Sequence, residues 1–204
     1  MTYLPKKHLI IPSFLILSPI MLNIKNFSKE NKENTPKFKK FTLKDDISGK
    51  TILTVSKKVS KHWDKDNINV YQNEKKWLNL LKNTDVIAKP VHFDDENRII
   101  TTEFVGESIN KGNIPNNWEE QRDHICSTLK KFNCRHNDIK PNELIVHNNK
   151  IKLIDFGWAN EINKTNPHNF PSCLGAEFKC NLKDKEYDDK CSFNKSINYI
   201  KNKK

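Results

Sequence analysis

The chain has 204 residues, 35% hydrophobic and 30% charged, with 36 Lys and Arg against 25 Asp and Glu for a formal net charge of +11. That length allows one large domain or two small lobes around an economical core. The basic residues form no run interleaved with aromatics, so no specific nucleic-acid partner is expected. The five cysteines (Cys126, Cys134, Cys173, Cys180 and Cys191) include no Cys-x-x-Cys, and His168 beside the last three has poor ligand spacing. Neither a disulfide framework nor a zinc ribbon is therefore expected, and free thiols in a reducing, cytoplasmic compartment are.

Residues 1–37 read as an extension and linker. "HLIIPSFLILSPIML", His8 to Leu22, is too short to span a bilayer as a helix and carries two prolines. Peripheral membrane contact through residues 8–22 is the alternative to a plain extension. Asn23 to Lys37 is polar and charged. From Phe38 the pattern becomes β-rich: "FKKFTL" and "KTILTVSKKV" flank the turn signal "KDDISG". "NVYQNEKKWLNLLK" then puts Val70, Trp77, Leu78 and Leu81 on one helical face. "VHFDD" and "RIITTEFV" predict two more strands, which makes residues 38–105 a small α+β unit. Gly106 and Gly112 mark a polar connector. After it, "WEEQRDHICSTLKKF" spaces Trp118, Arg122, Ile125 and Leu129 as a helix, and "DDKCSFNKSINYI" predicts a last one.

Between those helices lies "HNDIKPNELIVHNNKIKLIDFG". Leu144–Val146 and Ile151–Ile154 are apolar runs joined by His147-Asn148-Asn149-Lys150, and asparagine tolerates positive φ, so the pattern predicts a tight hairpin. Folding it brings Asp138 and Asp155, 17 residues apart, to one end of the same two strands. Paired carboxylates there can hold a divalent cation and orient a hydroxyl nucleophile. Gly157 is expected to let the backbone turn away sharply, and Lys140 could reach a transferring phosphate.

These motifs resemble the protein-kinase superfamily: "HNDIKPNELIV" is similar to the catalytic loop His-Arg-Asp-Leu-Lys-Pro-Glu-Asn, and "IDFG" to the metal-binding Asp-Phe-Gly. The resemblance implies a two-lobed fold, with an N-lobe over 38–105 and a shortened C-lobe over 106–204. It implies an ATP-dependent phosphotransferase in which Asp138 positions the acceptor hydroxyl, Lys140 contacts the γ-phosphate and Asp155 chelates Mg2+ or Mn2+. "TEFVGES", with Glu103 and Val105, resembles the hinge that meets adenine. Glu74 resembles the acid that pairs with the N-lobe lysine, which is Lys57 or Lys58. "DDKCSF" resembles the start of the buried C-lobe helix, with Asp189 as anchor.

Several features depart from the family. No Gly-x-Gly-x-x-Gly occurs, so "KDDISGK" or another clamp would cover the phosphates, and no Ala-Pro-Glu follows Asp155. Asn137 replaces the arginine that would pair with a phosphorylated loop. The metal-binding asparagine aligns with Glu143, with Asn142 one place early. Glu143 is expected either to chelate, with manganese accepted at least as well as magnesium, or to swing out while Asn142 substitutes. The compact pattern is more similar to small atypical and lipopolysaccharide-kinase-like relatives than to signalling kinases. The acceptor is then a protein Ser/Thr, or a glycan, lipid-linked sugar or other small molecule. A pseudokinase acting as a binding module is the third reading.

Overall fold

β-branched residues dominate Thr51–Lys58 and Ile99–Glu103, and both segments are strands in the computed structural model, which describes residues 38–44, 51–64, 68–162, 164, 176–178, 180 and 187–203. The chain divides into two units, Met1–Thr35 and Pro36–Lys204, and the described residues belong to the second. The apolar run 8–22 and the turn 45–50 lie outside them.

The first sheet is antiparallel, in the order β1 (Phe38–Lys44), β2 (Thr51–Lys58), β4 (Ile99–Glu103), β3 (Pro90–Asp94). Proline begins β3, where a strand tolerates a missing N–H donor. The helix α1 (Val70–Leu81) precedes β3, and the Asn69 side chain caps it by accepting the Gln72 N–H. Its buried face holds Val70, Trp77, Leu78 and Leu81 as the spacing predicts, together with Tyr71 and Glu74. Glu74 stands four residues from both Val70 and Leu78, so the helical period itself carries a carboxylate into the core.

β5 (Glu107–Ser108) follows, then α2 (Trp118–Lys131), β6 (Cys134–Arg135), β7 (Leu144–His147), β8 (Lys150–Leu153), β9 (Asn160–Glu161) and α3 (Asp189–Asn202). Two small antiparallel sheets result, β5-β7-β8 and β6-β9. The β7–β8 turn is built as expected: Asn148 and Asn149 both take positive φ, 48° and 61°, the backbone of a two-residue hairpin loop. One apolar core runs from Trp77 and Leu81 of α1 through Leu144 and Leu153 of the hairpin to Phe193 and Ile197 of α3. Each such side chain contributes roughly 1.5–3 kcal/mol by leaving water. Helices and small antiparallel sheets together make the fold α+β.

The free-thiol expectation is corrected. Cys180 and Cys191 form a disulfide across 11 residues of sequence, while Cys126 and Cys134 are free. The cause is a local return of the chain: the Cys180 carbonyl accepts the N–H of Asp188, the residue that caps α3, so Cys180 arrives beside Cys191 in the helix's first turn. Spacing alone does not show that return. Among the described residues, no helix is long and apolar enough to cross a membrane.

Candidate active site

The sequence around Asp138 and Asp155 folds as two facing segments tied at both ends. β6 pairs with β9, matching Arg135 to Asn160, and the Ile154 N–H bonds the Glu143 carbonyl at 3.2 Å. Asp155 itself takes the left-handed conformation, φ 66° and ψ 68°. This corrects the expectation that Gly157 supplies the sharp turn, since aspartate is one of the few L residues that visits this region. Gly157 is required for another reason: a Cβ there would lie 2.6 Å from Val70 Cγ1, so α1 could not approach.

Lys140 begins a short 3-10 turn, Pro141–Glu143, with proline pre-set at its first position. The turn carries Glu143 back beneath Lys140. The Lys140 ammonium donates to the Asp138 carboxylate and lies 3.1 Å from Glu143 Oε1. Lys57 Nζ lies 2.6 Å from Glu74 Oε1 and 3.1 Å from Asp155 Oδ1. Of the two candidate lysines, Lys57 turns inward and Lys58 is exposed, as alternation along a strand requires.

Burial works against every charge here, and the pairing decides each outcome. Lys57 is desolvated, yet Asp155 and Glu74 outweigh the burial and hold it above the ordinary lysine range. Burial likewise opposes the Asp155 charge, and Lys57 with Lys140 overcomes it, keeping that carboxyl below the usual range. Glu143 goes the other way: burial, then the nearby Asp155 charge, push it up to about 8. Burial pushes Glu74 up to about 7 against the pull of Lys57.

His136 is fully buried and held at about 4 by desolvation, so its ring is neutral. Its Nε2 donates to the Ile154 carbonyl at 3.0 Å, which leaves Nδ1 to accept the Asp138 N–H at 3.3 Å. The Asp189 carboxylate accepts the N–H groups of His136 and Asn137 at 2.7 and 2.9 Å, the anchoring expected of it.

A cleft of about 360 Å³ has Val55, Ala88, Val105 and Ile145 on its apolar walls and Lys57, Glu74, Asn142 and Asp155 among its polar lining residues. Glu103 also lines it and reaches Lys152 Nζ at 3.3 Å. Gly106, φ 109°, passes so close to the hairpin that a Cβ would sit 2.0 Å from the Val146 carbonyl oxygen. The structure thus gathers Lys57, Glu74, Glu103, Val105, Asn142 and Asp155 on one cleft, while Asp138, Lys140 and Glu143 join through the ion pairs beside it. Asn142 is exposed and Glu143 buried. The turn "KDDISGK" beyond Lys44 lies outside the described residues. Among the described residues, no group of three or more His, Cys, Asp or Glu is placed to hold a metal ion.

Three contributors escape sequence reasoning. Asn73 Nδ2 donates to the Gly157 and Ala159 carbonyls at 2.9 and 2.8 Å, and Trp77 Nε1 donates to Ala159 at 3.1 Å, fastening α1 to the segment after Asp155. Asn137 Nδ2 bonds the Trp158 carbonyl and Asn160 Oδ1 at 3.0 and 2.8 Å. Trp77 is visible in the sequence only as an apolar position. Nothing distinguishes Asn73 from the chain's many other asparagines, and the sequence marks Asn137 only as standing where the resemblance has an arginine.

A pH dependence follows for the metal-free protein. The unfolded chain ionises Glu74 near 4.5 and the folded protein near 7, so its contribution to stability is complete below 4.5 and is lost as pH rises through 7. Glu143 acts in the same sense up to about 8, whereas His136 is neutral in both states above its unfolded value of 6.5. Between about pH 6.5 and 8.5 the loss from the two groups together is roughly 2–3 kcal/mol, or about 5–10 °C in Tm. Thermal melts in chelator should show this fall, and Glu74→Gln should flatten part of it. A Tm that rises over that interval contradicts the assignment.

No protein-family model matches this chain, and no curated protein matches it.

Proposed function

We propose that the protein is an ATP-dependent phosphotransferase of the protein kinase-like superfamily, two-lobed about the 360 Å³ cleft. One observation carries this reading. Lys57 joins Glu74 to Asp155 at the polar part of a cleft whose other walls are apolar, and beside that cleft Lys140 joins Asp138 to Glu143. Perturbed, mutually paired groups in such a cleft mark a chemical site rather than a solvated face.

The apolar walls at Val55, Val105 and Ile145 suit a flat base, with the Glu103–Val105 segment beside it, and Lys57 suits its phosphates. The acceptor hydroxyl oxygen attacks the γ-phosphorus, the bond to the ADP oxygen breaks, and the hydroxyl proton passes to the Asp138 carboxylate. Lys140 offsets charge on the moving phosphoryl group. The donors suit a magnesium or manganese ion: Asp155 and Asn142 line the same cleft, and such ions in phosphoryl-transfer sites take only one or two carboxylates besides phosphate and water. Asp155 would hold the ion with Glu143 or Asn142, and when bound it neutralises phosphate charge.

The Lys140-Pro141 pair favours transfer to Ser or Thr hydroxyls, and a small-molecule acceptor is the alternative developed below. A catalytically impaired binding module is favoured by Glu143, which occupies Lys140. Thermal melts with ATP, with and without magnesium or manganese, test the main reading. A ligand at 100 times its Kd stabilises by about 2.7 kcal/mol, and the shift should need the metal. Glu143→Ala should weaken that metal dependence. No shift under any condition overturns nucleotide binding, and a shift without γ-phosphate transfer to any acceptor favours the binding module.

A further inference from the structure

A second cleft of about 690 Å³ reaches the same site. Lys140, Pro141 and Asn142 form part of its wall, and Asn142 lines both clefts. Whatever occupies the larger cleft therefore lies next to the Lys140–Asp138 pair, as an acceptor must. Its size is within the range of small-molecule sites, roughly 300–1,000 Å³.

Its chemistry is uneven. Three lysines, Lys111, Lys140 and Lys203, line it against one carboxylate, Glu177. The Lys140 charge is taken up by Asp138 and Glu143, so the net positive charge facing a ligand comes from Lys111 and Lys203. The cleft also carries an aromatic pair: Phe178 is buried, and Tyr199 meets it edge-to-face at 5.2 Å and 85° while remaining 48% exposed. A tyrosine ring half open to a concave wall offers a flat apolar surface to a ligand.

We propose that this cleft holds the acceptor, and that the acceptor is a small hydroxyl compound already carrying a phosphate group. Lys111 and Lys203 grip the phosphate, Tyr199 supports the carbon skeleton, and the free hydroxyl points towards Asp138. The inference rests on the phosphotransferase reading and specifies its substrate class. Phosphate suits two ammonium groups lining one cleft because each charge-assisted bond is about twice as strong as a neutral one. An extended peptide would leave these cations without a counter-charge unless it were itself acidic.

The test uses the full chain saturated with magnesium and a non-hydrolysable ATP analogue. Glycerol 3-phosphate and glucose 6-phosphate are titrated against glycerol and glucose, with Tm and calorimetric Kd as readouts. The phosphorylated probes should raise Tm further and the neutral ones should not. The double variant Lys111→Ala, Lys203→Ala should weaken phosphorylated-probe binding about tenfold or more while keeping the shift caused by the nucleotide analogue. Both lysines are exposed, so the variant should fold. Phosphorylated and neutral probes acting alike on the wild type overturn the inference. So does γ-phosphate transfer to a serine peptide at a rate the double variant leaves unchanged. If the nucleotide analogue itself gives no shift, the phosphotransferase reading fails instead, and the two failures are distinguishable.

Discussion

Asp138→Asn should lower γ-phosphate transfer by roughly 10²–10⁴-fold, the usual span for a positioned general base, while ATP affinity stays within about threefold. The asparagine amide matches the carboxylate in shape but cannot take up the acceptor's proton. Nucleotide binding should survive because Asp138 does not line the 360 Å³ cleft proposed to hold it, whereas Lys57, Asn142 and Asp155 do. The fold should survive as well. Lys140 keeps Glu143 at 3.1 Å, so losing the Asp138 charge does not strand a buried ammonium. Asp138 also remains held by its own backbone, whose N–H bonds His136 Nδ1. Single-turnover transfer and ATP titration on the same preparation separate the two effects. Wild-type turnover in the variant would remove Asp138 from the chemistry, and a matching loss of ATP affinity would make it a binding residue.

Much of this site was legible because short-range physics builds it. The Asn148–Asn149 turn forces a hairpin whatever surrounds it, and the hairpin alone brings Asp138 and Asp155 towards one end. The resemblance singles out Glu74 and leaves Lys57 and Lys58 as alternatives; the helical period of α1 and the strand face seen in the fold explain why Glu74 and Lys57 are the pair that meets. What stayed hidden depends on distant parts of the chain. Positive φ at Asp155 is tolerated because Lys57 and the flanking bonds hold that residue, and this freed Gly157 to admit Val70 instead. Asn73 bonds carbonyls more than 80 positions away, and no local pattern in a chain so rich in asparagine marks that partner. The Cys180–Cys191 bridge depends on the Cys180 carbonyl meeting the Asp188 N–H, which no spacing in the sequence announces. Where a residue's place in the fold is set by its neighbours in sequence the pattern shows it, and where a carbonyl from elsewhere sets it, only the folded chain reveals it.

Asp189 is where that long-range dependence should matter most for stability. Its carboxylate, in the first turn of α3, accepts the N–H groups of both His136 and Asn137. Burial raises its pKa to about 6 even though those N–H bonds favour the charged form, so near neutral pH it is mostly ionised and bonded at both oxygens. Asp189→Ala would leave the two N–H donors of His136 and Asn137 without partners, at about 1–3 kcal/mol each. The total is of the order of 4 kcal/mol, or a Tm lower by about 10 °C for a chain of this size. Asp189→Asn keeps one acceptor oxygen and should lose about half as much. Because His136 fixes the Asp138 backbone in turn, turnover should fall in the same order, alanine below asparagine below wild type. Paired thermal melts and transfer rates check both rankings. An alanine variant as stable as wild type would mean that α3 does not hold the loop, whereas lost stability with full turnover would confine Asp189 to folding alone.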